Sequence, residues 1–108
     1  SVKTVLATVN LGVDTTTDIG ALLPAGATVL SVKVNVTTVN TTSTLSVGTA
    51  TTVDLYMSTA ENDPQSTGIY MTETFVTDGA AVQVIATVAA QTGAVGSADV
   101  IVEYRVPA

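Results

Sequence analysis

The apolar residues of this chain recur with a period of two. Val5, Ala7, Val9 and Leu11 alternate with polar or small residues, predicting a first strand over about Val2 to Leu11. Leu30, Val32, Val34 and Val36 alternate with Ser31, Lys33, Asn35 and Thr37, the clearest strand in the chain. Leu45 and Val47 predict a short strand ended by Gly48, and Val53, Leu55 and Met57 predict another. Ile69, Met71 and Phe75 share a face, as do Val82, Val84, Ala86 and Val88. Ala98, Val100, Val102, Tyr104 and Val106 form the last strand, stopped by Pro107. The pattern predicts an all-β, single-domain antiparallel β-sandwich or jelly-roll-like barrel of about seven to eight strands, spanning residues 1–108. It does not choose between jelly-roll and immunoglobulin-like strand orders.

Turn residues punctuate these runs. Asp78-Gly79 between two alternating segments predicts a two-residue hairpin. That register would pair Phe75 with Val82, Met71 with Ala86 and Ile69 with Val88, apolar on apolar throughout. Leu23-Pro24-Ala25-Gly26 breaks the chain before the valine strand, and Gly93 and Gly96 bracket a later turn. Glu61 to Gly68 reads as a polar loop, with Glu61, Asn62 and Asp63 exposed. The Thr-rich stretches, Thr15 to Asp18 and Thr37 to Thr44, read as strands or loops with solvated hydroxyls.

Some residues disobey the alternation. Leu6, Val29, Ile85 and Ile101 each point away from the apolar face of their own strand, and Val2 points outward with Leu6. Four strands each carrying an outward apolar residue, with few charges around them, suggest a protein–protein contact and a homo-oligomer. Glu73 falls on the Met71/Phe75 face, opposite Val84 in the hairpin register. Either that face is open to solvent there, or Arg105 or Lys33 pairs with it, or it sits at a subunit contact.

Composition then narrows the chemistry. There is no cysteine, hence no disulfide framework and no thiolate. There is no histidine, which removes the commonest general base and the commonest transition-metal ligand. Ser and Thr abound, but no Gly-x-Ser-x-Gly elbow accompanies them, so no enzyme activity is expected. Asp14 with Asp18, and Glu61 with Asp63 and Asn62, could offer oxygen ligands to calcium. Neither follows an EF-hand spacing, and solvated loop acids are the expectation: no metal and no cofactor.

Nine acids against Lys3, Lys33 and Arg105 give a net charge of -6, which opposes binding to nucleic acid and to anionic membranes. No stretch approaches the roughly 20 apolar residues that span a bilayer as a helix. Ser1-Val2-Lys3 does not read as the start of a secretory leader. Asn35 and Asn40 match the glycosylation acceptor pattern, as chance allows in a Thr-rich chain.

A resemblance gives this fold a context. Leu22-Leu23-Pro24-Ala25-Gly26-Ala27, the valine strand, Leu45-Ser46-Val47-Gly48-Thr49, the loop ending in Gly68-Ile69-Tyr70 and the closing Val100-Ile101-Val102-Glu103-Tyr104 carry it. Together they resemble small β-rich bacteriophage virion structural proteins, the head decoration (cement) and head-fibre-like components. The resemblance implies a many-copy protein on the phage particle surface, often a trimer, bound to the major capsid protein or another virion protein and stabilising the shell. The first strand is the expected contact element, since it could add to a neighbour's sheet edge. The alternative is a receptor- or carbohydrate-binding β-sandwich of a phage fibre or bacterial adhesin, with its site on Asp14 to Asp18 or on Glu61 to Gly68 with Tyr70. Few aromatic residues are present to stack on a sugar.

Overall fold

The computed structural model describes residues 1–107. Seven strands follow in order: β1 (Val2–Asn10), β2 (Thr15–Asp18), β3 (Thr28–Thr38), β4 (Thr44–Gly48), β5 (Gly68–Thr77), β6 (Ile85–Ala89) and β7 (Ser97–Arg105). One 3-10 turn, Thr59–Glu61, precedes β5. Four strands form one sheet in the order β1-β7-β3-β5, and three form a second in the order β2-β6-β4. All pairings are antiparallel. Odd-numbered strands thus form one sheet and even-numbered strands the other, so every connection crosses between sheets, and only that from β4 to β5 does so through a long segment, residues 49–67.

That long segment resolves the strand order. The predicted strand at Val53–Met57 is reduced to a bridge: Met57 pairs antiparallel with Val47 on the free edge of β4. Counting it as a vestigial strand gives four-on-four sheets with the alternating connections of a jelly roll. The segment fails as a full strand because residues 49–55 curl into turns, with Thr49 N and Leu55 N both donating to the Thr52 carbonyl. Gly48 permits that curl, since a Cβ there would run into the backbone of Thr52, Val53 and Leu55.

β2 occupies Thr15–Asp18, where the Thr-rich sequence admits either a strand or a loop. It carries no apolar residue but three β-branched ones, and it pairs Thr15 with Val88 and Thr17 with Ala86. Ile19 N and Leu23 N extend the pairing by donating to the carbonyls of Val84 and Val82.

The core lies between the sheets. Val9, Val32, Val34, Val36, Val100 and Val102 point inward from the large sheet. Leu45, Val47, Val84, Ala86 and Val88 answer from the small one, with Ile19, Leu23, Tyr56 and Met57 closing the sides. Tyr56 is buried with its hydroxyl donating to Asp78 Oδ2 at 2.7 Å.

Two predictions fail here for identifiable reasons. The Asp78-Gly79 hairpin does not form: β5 pairs with β3, while β6 lies in the other sheet between β2 and β4. Asp78 is instead tied to the Pro24–Ala27 turn, accepting from Gly26 N and donating its own N–H to the Ala27 carbonyl. A local turn signal cannot show which sheet the next strand joins. Val29 also does not face outward; it is wholly buried. A bulge at Leu30 inserts one residue against β7, shifting the pairs from Val29–Tyr104 to Ser31–Glu103. The extra residue resets the inward phase and brings Val29 into the core.

Candidate docking surface

The outer face of the four-stranded sheet carries side chains in registered rows. Leu6 pairs with Ile101, Ile101 with Lys33, and Lys33 with Met71, giving one row across all four strands. The next row is Thr4, Glu103, Ser31 and Glu73. On the other side lies Thr8, Asp99, Asn35 and Ile69. Beyond Glu103 the face ends in Val2 and Arg105, whose guanidinium sits over the Phe75 ring, 5.3 Å from its centre.

The composition of this face is unusual for a solvated surface. Phe75 is 68% exposed, Ile69 67% and Leu6 64%, and Val2, Met71 and Ile101 join them. On β5 the usual arrangement is inverted. Its apolar side chains Ile69, Met71 and Phe75 face out, while Tyr70, Thr72 and Thr74 face the body of the protein. Thr72 donates to Glu61 Oε2 at 2.9 Å, and Tyr70 donates to the Ser66 carbonyl, also at 2.9 Å. The polar side of β5 is thus satisfied by the Ser58–Ser66 segment, and its apolar side is left uncovered in the chain itself.

Charge is distributed to match. Lys33 and Arg105, two of the three cations, lie on this face with Glu73, Asp99 and Glu103, a local balance of -1. The rest of the chain carries the remaining -5.

Of the outward residues marked from sequence, the structure gathers Val2, Leu6, Ile101 and Glu73 onto this one face. Glu73 is exposed there, beside Ser31, so no buried charge arises. Val29 is in the core, and Ile85 is half-buried on the small sheet between Asp18 and Gly48, so neither belongs to the surface. The alternation places Ile69, Met71 and Phe75 on one face without showing whether that face meets the core. Their exposure became visible only when β5 was placed at the sheet edge, with the hydroxyls of Tyr70, Thr72 and Thr74 on the opposite side.

The loops are internally occupied. Glu61 Oε1 accepts from Ser58 N at 2.9 Å, and its carboxyl lies below the usual range because backbone and Thr72 hydrogen bonds favour the charged form. Asn62 is buried, not exposed: its amide donates to the Leu45 carbonyl at 2.8 Å. Asp63 accepts from Gln65 N, and Asp14 from Gln91 N. Among the described residues no three acids converge as a metal cluster. Asn40, one of the two acceptor-pattern asparagines, is buried with its amide donating to the Val95 carbonyl.

No protein-family model matches the chain, and no curated protein matches it. Solved structures similar to it include chains from two phage capsids. A chain in the acidic stable capsid structure of Helicobacter pylori bacteriophage KHP30 aligns with a TM-score of 0.80 at 20% identity, over 99% of this chain and 89% of that one. A chain of the cyanophage Pam1 capsid asymmetric unit aligns with a TM-score of 0.69 at 27% identity, over 98% and 85%. The chain is therefore structurally similar, along nearly its whole length, to β-rich chains found in phage capsids, the class its sequence resembles.

Proposed function

We propose that this protein is a non-enzymatic structural component of a phage virion, present in many copies on the particle surface, where it decorates and stabilises the shell by protein–protein contacts with the major capsid protein or a neighbouring virion protein. The observation that carries this reading is the near-complete structural alignment with chains from two phage capsids. The uncovered apolar face of the large sheet supports it, because a surface of that kind is built for contact with protein. A net charge of -6 suits a protein that works beside packaged DNA without sticking to it.

The sequence resemblance implies a trimer. The direct test adds the purified protein to shells assembled from the cognate major capsid protein and follows co-sedimentation and the heat stability of the shells. Saturable binding with a raised melting temperature is expected. Shells that neither retain the protein nor gain stability would remove the decoration role.

A further inference from the structure

We infer that the outer face of the four-stranded sheet is a two-fold contact, and that its occupant is the same face of a second copy of this chain. Three observations converge on this pairing.

The first is self-complementary charge. Place a two-fold axis in the plane of the face, running along the rows between Thr4–Glu103–Ser31–Glu73 and Leu6–Ile101–Lys33–Met71. Each strand then lies over its own counterpart, reversed in direction. Arg105 falls opposite Asp99 of the second copy, twice over. Lys33 falls opposite Ser31, between the Glu73 and Glu103 that flank that serine. Phe75 falls opposite Ile69, and Thr4 opposite Leu6. Glu103 and Glu73 themselves fall opposite Ile101 and Met71, one strand to either side of that Lys33, so both cations of the face meet acids and no like charges meet. The other in-plane axis, along the strands, sets Lys33 over Ile101 and leaves Arg105 without an acid, so it has the poorer match.

The second observation is size. Four strands about 4.8 Å apart and about nine residues long at about 3.3 Å per residue give a face of roughly 500–600 Å². A pair would cover roughly 1,000–1,200 Å², above the size of most packing contacts and in the class of weak, reversible specific pairs. That is about a tenth of the 5221 Å² surface of each chain.

The third is the asymmetry of the molecule. Five of the six net negative charges lie off this face. Among the described residues, it is the outer face of the large sheet that gathers exposed Leu6, Ile69, Met71, Phe75 and Ile101 at a local charge near zero. Sheets stacked this way pack about 10 Å apart and close to parallel in strand axis, which lets these side chains interdigitate.

The contact does not depend on the virion reading, and the two fail separately. Light scattering on a sizing column gives the native mass of the purified full chain, without any shell. The expected mass is that of two chains of 10.9 kDa. Arg105→Asp and Asp99→Arg should each raise the dissociation constant by about 100-fold or more, since each sets like charges face to face twice per dimer. The combined Arg105→Asp/Asp99→Arg chain restores the opposite signs and should recover the dimer. Circular dichroism confirms that each variant keeps the β-sheet fold. Should Arg105→Asp misfold through loss of the Phe75 stack, Met71→Asp on the exposed edge strand serves in its place and should also give a folded monomer. A wild-type monomer, an odd-numbered assembly, or a double variant no better than the singles would overturn the inference. Dimers that never bind shells would uphold it and remove the decoration role instead.

Discussion

Asn40 joins two loops at the end of the sandwich that no strand pairing joins. Its Oδ1 accepts from Thr42 N at 3.0 Å and Ser43 N at 2.9 Å, while its Nδ2 donates to the Val95 carbonyl at 2.9 Å. The side chain is buried, so its loss strands several polar groups away from water. Asn40→Ala should cost about 2–4 kcal/mol in urea unfolding. Asn40→Asp keeps the acceptor but sets a carboxylate against the Val95 carbonyl, and should do no better. A wild-type midpoint for Asn40→Ala would show that these loops hold without it. Tyr56 gives a pH signature instead. Burial, and then the hydrogen bond and charge of Asp78, push its phenol above the ordinary value of 10.0. The folded state therefore resists ionising a group that the unfolded chain ionises readily. The stabilisation is full below pH 10 and declines as pH rises above it toward the raised folded value. Tyr56→Phe should lose about 1.5–3 kcal/mol at neutral pH through its hydrogen bond to a charged partner, and show a flatter alkaline limb. Equal alkaline slopes in the two proteins would assign the limb elsewhere. Glu61 has the opposite sign: its lowered carboxyl favours the fold above the usual glutamate range and stops doing so as pH falls through it.

Strands were legible wherever one face is apolar and the other is not, as at Val32, Val34 and Val36 or Val100 and Val102. β2 was not, because Thr15–Asp18 has no apolar phase and is marked only by its β-branched threonines. The direction of β5 is not legible for a deeper reason. Alternation shows that two faces differ, but not which one meets the core when the strand lies at an edge. Ile69, Met71 and Phe75 face out and make up half of the apolar docking surface. Val29 escaped in the same way, since one bulge residue at Leu30 inverts the phase upstream. Strand reading was also too generous at Val53–Met57, where only Met57 bridges Val47. That segment depends on the bare backbone of Gly48. Gly48→Ala would drive a methyl group into the Thr52–Leu55 backbone and should cost about 1–3 kcal/mol. The damage should be local first, with faster amide exchange over residues 49–57 while β7 stays protected. Unchanged exchange there would mean that the loop does not rest on Gly48.

For the whole molecule, the two faces of one strand separate stability from assembly. Ile101 and Val102 are chain neighbours in β7 on opposite faces: Ile101 is 36% exposed on the outer face, and Val102 is fully buried between the sheets. The same substitution at the two positions should therefore have opposite consequences. Val102→Asp places a carboxylate in the apolar core with no cation to meet it, and should cost about 3–5 kcal/mol or prevent folding. Ile101→Asp leaves the charge hydrated beside Lys33 on the isolated chain, so its intrinsic stability should change by less than about 1 kcal/mol. It would, however, add a negative charge to the centre of the face, beside the row of Glu73 and Glu103, and should abolish association of the chain with itself. Urea unfolding in the monomeric dilution range, set beside native mass at high concentration, separates these effects. If Ile101→Asp associates like the wild type, the exposed row of Leu6, Ile101 and Met71 is not where copies meet. If it unfolds like Val102→Asp, that row is part of what holds the sheet together.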